Sequence, residues 1–254
     1  MLVLDIDREA LMQLASAAFG GRAISAMEVG VLRGDNAMNI LNFFNICELH
    51  LVDSWSTEAF SDYHDVNRDR PWVRPLTDYS NYFGGSVNDQ VTLDRLYYGV
   101  CERFKDTPGI SIHRMESKQA ILALSKDMSN SLDYLYLDGS HQFETVFDDL
   151  MGFTQLLKGS GFLQLNDVAV SKEGIKQNLG VLEAMSRFIR ISDFMVLAIT
   201  NRDCSDCLLS RRQSPLARNF LNEVERARIK FVEVPGSLVS CARIIGVSES
   251  ISFS

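Results

Sequence analysis

The feature that most constrains this chain is a regular alternation of short apolar runs with segments of helical periodicity. The apolar runs are AMEVGV at 26–31, ELHLVD at 48–53, ISIHR at 110–114, LDYLYLD at 132–138 and GFLQLND at 161–167. Such alternation is typical of a parallel sheet with helices on both faces, which is a doubly wound α/β fold. Sheets of this class bind ligands at the carboxyl ends of their strands.

The chain shows no linker or internal repeat, so we predict a single domain over residues 1–254 with a core at 24–212. An N-terminal helix is expected at 8–19. The apolar runs at 194–200 and 207–212 are separated only by a polar stretch, which predicts a hairpin and a closing antiparallel strand. A C-terminal extension at 213–254 contains a predicted helix at 215–229 and a short strand near 239–247.

Charge and hydropathy exclude several classes of partner. The chain has 25 Lys and Arg against 33 Asp and Glu, a formal net charge of -8. Because an acidic chain repels a phosphate backbone, we expect no nucleic-acid partner. The N-terminal sequence lacks the basic and apolar segments of a signal peptide, and no apolar run is long enough to cross a bilayer. We therefore expect a cytoplasmic protein with no membrane partner.

A glycine-containing loop, EVGVLRGD at 28–35, follows the first strand of this pattern. Gly30 and Gly34 let the backbone turn sharply and approach a ligand, but their spacing is not the GxGxxG that seats a pyrophosphate. Asp53 ends the next strand, 19 residues after Gly34. A carboxylate there can accept both hydroxyls of a ribose. The pattern favours a nucleoside without a pyrophosphate, and a turn or capping role for Asp53 is the alternative.

Polar side chains also follow two later strands. Asp138 and His141 lie in LDGSH, and Asn166 and Asp167 end the next strand. Because neighbouring parallel strands end side by side, we expect these oxygen atoms to converge on one hard cation such as Mg²⁺. His141 is a candidate general base, with a helix N-terminal histidine bonded to the backbone as the alternative.

Five motifs, in order on successive strand ends, resemble the class I S-adenosylmethionine-dependent methyltransferases: EVGVLRGD, LVDSW, MESKQA, LYLDGSH and LQLND. Within that family the chain is most similar to the bacterial small-molecule group called type 24, whose relatives include macrocin O-methyltransferase-like and cephalosporin-hydroxylase-like enzymes. The resemblance covers about residues 24–212. It implies a seven-stranded, Rossmann-like, mostly parallel sheet and S-adenosylmethionine as cofactor.

The resemblance also implies roles for individual residues. The loop would face the methionine part of the cofactor, Asp53 would bind its ribose and Ser117 its adenine. The implied cofactor-binding residues are Glu28, Gly30, Gly34, Asp53, Ser117 and Asp138. Related metal-dependent enzymes carry acidic and amide ligands where Asp138, Asn166 and Asp167 stand here. Two features depart from the family pattern. They are the order Asn166-Asp167 at the strand end and the pair Asp35–Asn36 after the glycine loop.

The leading hypothesis is methyl transfer to a hydroxyl of a small molecule, such as a sugar, polyketide or phenolic product of secondary metabolism. His141 and Asp138 would be catalytic, and Mg²⁺ would lower the pKa of the hydroxyl. In one alternative His141 acts as base without a metal, on oxygen or nitrogen. In another, the chain binds a nucleoside cofactor without turnover. An NAD-dependent dehydrogenase is disfavoured because the phosphate loop is wrong.

An insertion at residues 54–90 is rich in aromatic and Arg residues. A loop of such length in a compact domain is typical of a lid or binding loop. We expect it to be mobile without ligand and to order over the cofactor. The equal alternative is a contact surface in a homo-oligomer.

Overall fold

The computed structural model of the chain describes residues 1–60, 73–169, 171, 180–202, 205–245 and 250–253. Its strands are β1 (Leu2–Leu4), β2 (Ile24–Val29), β3 (Ile46–Asp53), β4 (Ile110–Arg114), β5 (Leu132–Leu137), β6 (Leu157–Leu165), β7 (Phe194–Thr200), β8 (Cys207–Arg211), β9 (Phe231–Glu233), β10 (Arg243–Ile245) and β11 (Ser250–Ser252). Its helices are α1 (Arg8–Ala18), α2 (Asp35–Phe43), α3 (Ser80–Phe83), α4 (Gln90–Phe104), α5 (Ser117–Met128), α6 (Phe143–Phe153), α7 (Val181–Ile191) and α8 (Pro215–Arg226). Short 3₁₀ helices lie at Leu76–Tyr79 and Gly236–Cys241.

The main sheet has the strand order β4-β3-β2-β5-β6-β8-β7-β1-β9 within the described part of the chain. The first five strands of this order run parallel to one another. β8 is antiparallel to both of its neighbours, β6 and β7. The α/β class, the mostly parallel sheet and the antiparallel hairpin strand predicted from the sequence are confirmed.

Two strands extend the sheet beyond the seven that were predicted. β1 pairs parallel with β7, and β9 pairs antiparallel with β1 at the edge. The antiparallel β8 therefore lies inside the sheet and not at its end. Both added strands have three residues, which is too short for a period of two to be visible in the sequence.

Helices cover both faces of the sheet. The apolar side chains of α1, α2, α4 and α8 pack on one face, and those of α5, α6 and α7 pack on the other. The strands between them alternate accordingly: Tyr134 and Tyr136 of β5 face the first group, while Leu135 and Leu137 face the second. Because both faces are buried, the central strands read as nearly continuous apolar runs.

The terminal elements match the sequence in part. Asp7 caps α1 by accepting a hydrogen bond from the Ala10 N–H at 2.8 Å, as its position before an apolar stripe suggests. The predicted C-terminal helix and the strand near 239–247 correspond to α8 and β10. Residues 61–72 of the insertion lie outside the described residues, as do residues 172–179, with which a helix predicted from the sequence over 172–189 begins. No helix among those described is long and apolar enough to cross a membrane.

Candidate active site

The carboxyl ends of β2 and β5 meet at Gly30. The Asp138 N–H donates to the Val29 carbonyl at 2.8 Å, and the Gly30 N–H donates to the Val52 carbonyl at 2.9 Å. Gly30 has a φ of +87°, and a Cβ added there would lie 2.0 Å from the Asp138 carbonyl oxygen. Only glycine fits this close approach. The predicted loop therefore packs directly against the strand end that carries Asp138.

Glu28 is a buried carboxylate at the end of β2, with 1% of its surface exposed. Its Oε1 accepts a hydrogen bond from Asn36 Nδ2 at 3.0 Å. Its Oε2, like Asn36 Oδ1, has no hydrogen-bond partner among the described residues. Burial raises the pKa of Glu28 well above its ordinary value, although the Asn36 bond opposes the shift. Because buried unpaired acceptors are costly, this corner of the loop suits a ligand that brings N–H donors or positive charge.

The side chain of Asp53 holds the glycine loop by accepting hydrogen bonds from the backbone of the loop. Asp53 Oδ2 accepts the N–H groups of Val31 and Leu32, both at 2.9 Å, and Oδ1 accepts the Trp55 N–H at 2.9 Å. Leu32 and Trp55 have positive φ values of 50° and 40°, which these bonds stabilise. The structure thus gives Asp53 the turn role that the sequence left as an alternative. Its predicted contact with a ribose stays a prediction and would have to share these oxygens.

The described parts of the insertion contact the same loop. Trp55 is buried, and its Nε1 donates to the Leu32 carbonyl at 2.9 Å. Arg33 Nη1 donates to the Tyr82 carbonyl at 3.1 Å, and the guanidinium lies over the Tyr82 ring at 5.1 Å. The insertion therefore borders the Gly30–Gly34 loop. Its closure over a ligand stays a prediction.

Ser117 is the first residue of α5, and its hydroxyl donates to Asp149 Oδ2 at 3.2 Å. Asp149 lies in α6 and is 4% exposed, and its Oδ1 has no partner among the described residues. Burial raises the pKa of Asp149 to about 7. Asp149 also lines a small pocket together with residues from Asp138 to His141. Sequence reasoning missed Asp149 because nothing in the helical pattern distinguishes it from an exposed acid.

The predicted polar cluster at the ends of β5 and β6 does come together around one imidazole. His141 Nε2 lies 3.4 Å from Asp138 Oδ1, 3.4 Å from Asn166 Oδ1 and 3.8 Å from Asp167 Oδ2. Burial opposes charge on this imidazole, but the hydrogen bond and charge of Asp138, with Asp167 and Asn166, outweigh it. The pKa of His141 is raised above its ordinary value as a result.

Arg8 enters this cluster from α1, a contact that sequence reasoning missed. Its Nη1 lies 3.8 Å from Asp138 Oδ2 and its Nη2 lies 3.9 Å from Asp167 Oδ1. Its Nε lies 3.6 Å from Asp206 Oδ1. Nothing near Arg8 in the sequence signals this role, because its place depends on the added strand β1.

Asp206 is the buried centre of a hydrogen-bond network behind the cluster. It is 3% exposed and accepts hydrogen bonds from Asn166 Nδ2 at 3.0 Å, Gln164 Nε2 at 2.8 Å and the Tyr136 hydroxyl at 3.1 Å. Burial raises the pKa of Asp206 to about 6, while Arg8 and Gln164 oppose the shift. The network fixes the amide of Asn166 so that its oxygen faces His141.

The predicted magnesium site at Asp138, Asn166 and Asp167 is not supported by this arrangement. Each of the two carboxylates directs one oxygen toward Arg8 and the other toward His141. A divalent ion about 4 Å from a guanidinium would be repelled by ~8 kcal/mol at an effective dielectric constant of about 20. No group of three or more His, Cys, Asp or Glu within the described ranges is arranged to hold a metal ion. The residues as placed do not fit Mg²⁺.

Comparison with known proteins finds solved structures of similar fold. No protein-family model and no curated protein matches the chain. A solved structure of a protein from Corynebacterium glutamicum is 14% identical over 82% of this chain and 83% of its own, with a TM-score of 0.51. The chain has that protein's fold.

Two further solved structures are similar at slightly lower scores. The N-methyltransferase NodS from Bradyrhizobium japonicum is 13% identical over 80% of this chain and 92% of its own, with a TM-score of 0.49. A Staphylococcus aureus protein assigned as a caffeoyl-CoA O-methyltransferase is 12% identical over 82% of this chain and 86% of its own, with a TM-score of 0.49. Likeness at such identities concerns the fold, so the activity must be argued from the site.

Proposed function

We propose that the chain is an S-adenosylmethionine-dependent methyltransferase that acts on a small molecule, with a hydroxyl as the first choice of acceptor. One observation carries the proposal: Glu28 Oε2 is buried at the glycine loop and has no hydrogen-bond partner among the described residues. The ammonium group of the methionine part of S-adenosylmethionine would provide both a donor and a positive charge. The five sequence motifs support this assignment, and membership of the type 24 group is part of the proposal.

Several residues would hold the cofactor along the strand ends. Glu28 and Asn36 would bind its amino-acid end, and the Gly30–Gly34 loop would approach it closely. Ser117 and the unpartnered Asp149 Oδ1 offer polar groups for its base. Asp53 would act mainly by keeping the loop in its left-handed turns.

The cofactor supplies a methyl group on a sulfonium, and catalysis of its displacement depends on aligning the nucleophile and removing its proton. Asp138 Oδ1 and Asp167 Oδ2 face Nε2 of His141 and favour a proton there. The other ring nitrogen, Nδ1, is then the atom that accepts the proton of the acceptor. The raised pKa of His141 makes it a stronger base once it is neutral.

The position of Arg8 supports a metal-independent reaction. The guanidinium already provides positive charge beside Asp138 and Asp167, so no step is assigned to Mg²⁺. The proposed partner is the small-molecule acceptor, with neither nucleic acid nor membrane involved. A second copy of the chain at the insertion is a separate proposal.

Cofactor binding is tested by isothermal titration with S-adenosylhomocysteine and with NAD. We expect S-adenosylhomocysteine to bind and Glu28→Gln to weaken that binding by about 10- to 100-fold, since a hydrogen bond to a charged group is lost. Glu48→Gln is the matched control, because Glu48 is exposed on the neighbouring strand. Tighter binding of NAD than of S-adenosylhomocysteine would contradict the proposal.

Turnover is tested with S-adenosylmethionine and a panel of sugar, polyketide and phenolic acceptors, with and without EDTA. We expect methylation that EDTA leaves unchanged, and His141→Ala should lower kcat by roughly 10²- to 10⁴-fold. The wild-type rate should rise with pH through a pKa above the ordinary histidine value. Binding without turnover on every acceptor class would favour the non-catalytic alternative, and loss of activity in EDTA would restore the magnesium hypothesis.

A further inference from the structure

Arg8 reaches the acidic cluster because of how the N-terminus joins the sheet. β1 runs parallel to β7 with Leu4 opposite Thr200, so the chain leaves β1 at the carboxyl edge of the sheet. The Asn201 N–H donates to the Leu4 carbonyl at 2.8 Å and fixes this exit. Asp7 then caps α1. Arg8, the first residue of α1, therefore lies at the ends of β5 and β6.

We propose that Arg8 takes the place of a divalent cation in this site, so that removing it creates a site for Mn²⁺ or Mg²⁺. Three nitrogens of one guanidinium face three different carboxylates: Nη1 faces Asp138 at 3.8 Å, Nη2 faces Asp167 at 3.9 Å and Nε faces Asp206 at 3.6 Å. These residues come from the ends of β5 and β6 and the start of β8. One guanidinium thus provides positive charge to carboxylates from three strands.

The geometry is that of a central charge and not of a bidentate pair. None of the three distances is short enough for a strong hydrogen bond, and each nitrogen of the guanidinium faces a different carboxylate. Without Arg8, Oδ2 of Asp138, Oδ1 of Asp167 and Oδ1 of Asp206 would lose the positive charge that now faces them. Carboxylate oxygens are the ligands that Mg²⁺ and Mn²⁺ prefer.

Because Arg8 belongs to α1, that helix supplies part of the site as well as covering one face of the sheet. Metal binding by the site is measured without cofactor, so its outcome does not depend on methyl transfer.

The test is titration with Mn²⁺, followed by the electron paramagnetic resonance signal of the free ion, for wild type and Arg8→Ala. Arg202→Ala is the matched control, because this substitution removes the same charge from the same edge of the sheet. Arg202 pairs with exposed Asp5 at 3.4 Å. We expect Arg8→Ala to bind one Mn²⁺ at least about tenfold more tightly than wild type or Arg202→Ala. Asp138→Asn in the Arg8→Ala background should abolish that gain.

One further variant and one stability measurement keep the proposal testable if Arg8→Ala is unstable. Arg8→Lys retains a positive charge and should bind no more Mn²⁺ than wild type. If Arg8→Ala does not fold alone, Mn²⁺ should restore its thermal transition while NaCl of equal ionic strength should not. The inference is overturned if wild type binds one Mn²⁺ that Asp167→Asn removes, or if Arg8→Ala neither gains Mn²⁺ over Arg202→Ala nor is restored by it. Titration of each variant with S-adenosylhomocysteine in EDTA reports separately on the cofactor site.

Discussion

Replacing Gly30 by alanine should disrupt the loop on which the candidate cofactor site is built. The new Cβ would lie 2.0 Å from the carbonyl oxygen of Asp138 and 2.3 Å from its carbonyl carbon, whereas ordinary contact begins near 3.4 Å. Both groups are backbone, so neither can rotate away as a flexible side chain would. The glycine loop and the end of β5 would have to separate by on the order of 1 Å.

The magnitude follows from two costs. Alanine in a left-handed conformation costs about 1–2 kcal/mol, and forcing extra atoms into a packed site costs about 1–3 kcal/mol. We therefore expect Gly30→Ala to lower the free energy of unfolding by about 2–5 kcal/mol. Gly20→Ala isolates the first cost, because Gly20 has a φ of +67° and nothing within 4 Å of the added Cβ. It should lower the free energy of unfolding by about 1–2 kcal/mol.

The assay is urea unfolding followed by circular dichroism, combined with titration of S-adenosylhomocysteine. Gly30→Ala should lose at least about tenfold in affinity, because the loop is displaced, while Gly20→Ala should bind like wild type. Equal losses of stability in the two variants, within about 0.5 kcal/mol, would refute the close packing of Gly30 on Asp138. Unchanged affinity in Gly30→Ala would refute the role of the loop in binding.

Two predictions concern pH and stability, both measured by urea unfolding across pH. Burial raises the pKa of Asp149 to about 7, so its contribution to stability is complete below the unfolded pKa and is lost as pH rises through the folded pKa. The difference in free energy of unfolding between Asp149→Asn and wild type should therefore shift in favour of the variant by about 2 kcal/mol from pH 5 to pH 8. Parallel pH curves for the two proteins would contradict this. Although burial opposes it, the bonds from Lys158, Ser25 and Arg22 lower the pKa of Asp133, so its stabilisation is present above the unfolded pKa and is lost as pH falls through the lowered one. Asp133→Asn should cost about 2–3 kcal/mol at pH 7, because hydrogen bonds to a charged group are lost, and progressively less in acid. A loss independent of pH would contradict the ion-pair explanation.

The sequence predicted those parts of the fold that depend on local patterns. β4 and β7 were predicted with their observed bounds, and Asp53 ends β3 as expected. Periodicity and glycine positions are local properties, so a single segment reveals them. The convergence of Asp138, His141 and Asp167 could also be predicted, because parallel strands in one sheet end at the same edge.

Electrostatic roles in the site were less accessible to sequence reasoning. The position of Asp53 suggests a contact with ribose, which stays a prediction, but it did not show that both carboxylate oxygens accept hydrogen bonds from the backbone of the loop. Asp206 lay in a predicted turn and is instead the buried acceptor of three side-chain hydrogen bonds. A sequence shows which residues carry charge, whereas burial and the orientation of partners decide what that charge does.

By itself, the sequence determined the order of the central strands and of the helices between them, the glycine loop and most of the polar residues at the strand ends. Only the tertiary structure decided that β1 pairs with β7 and thereby brings Arg8 among Asp138, Asp167 and Asp206. Pairing between segments so distant along the chain depends on which sheet edge is open and which surfaces pack together, and local periodicity contains neither. For that reason the acidic cluster could be located from the sequence, while the cation that occupies it could not.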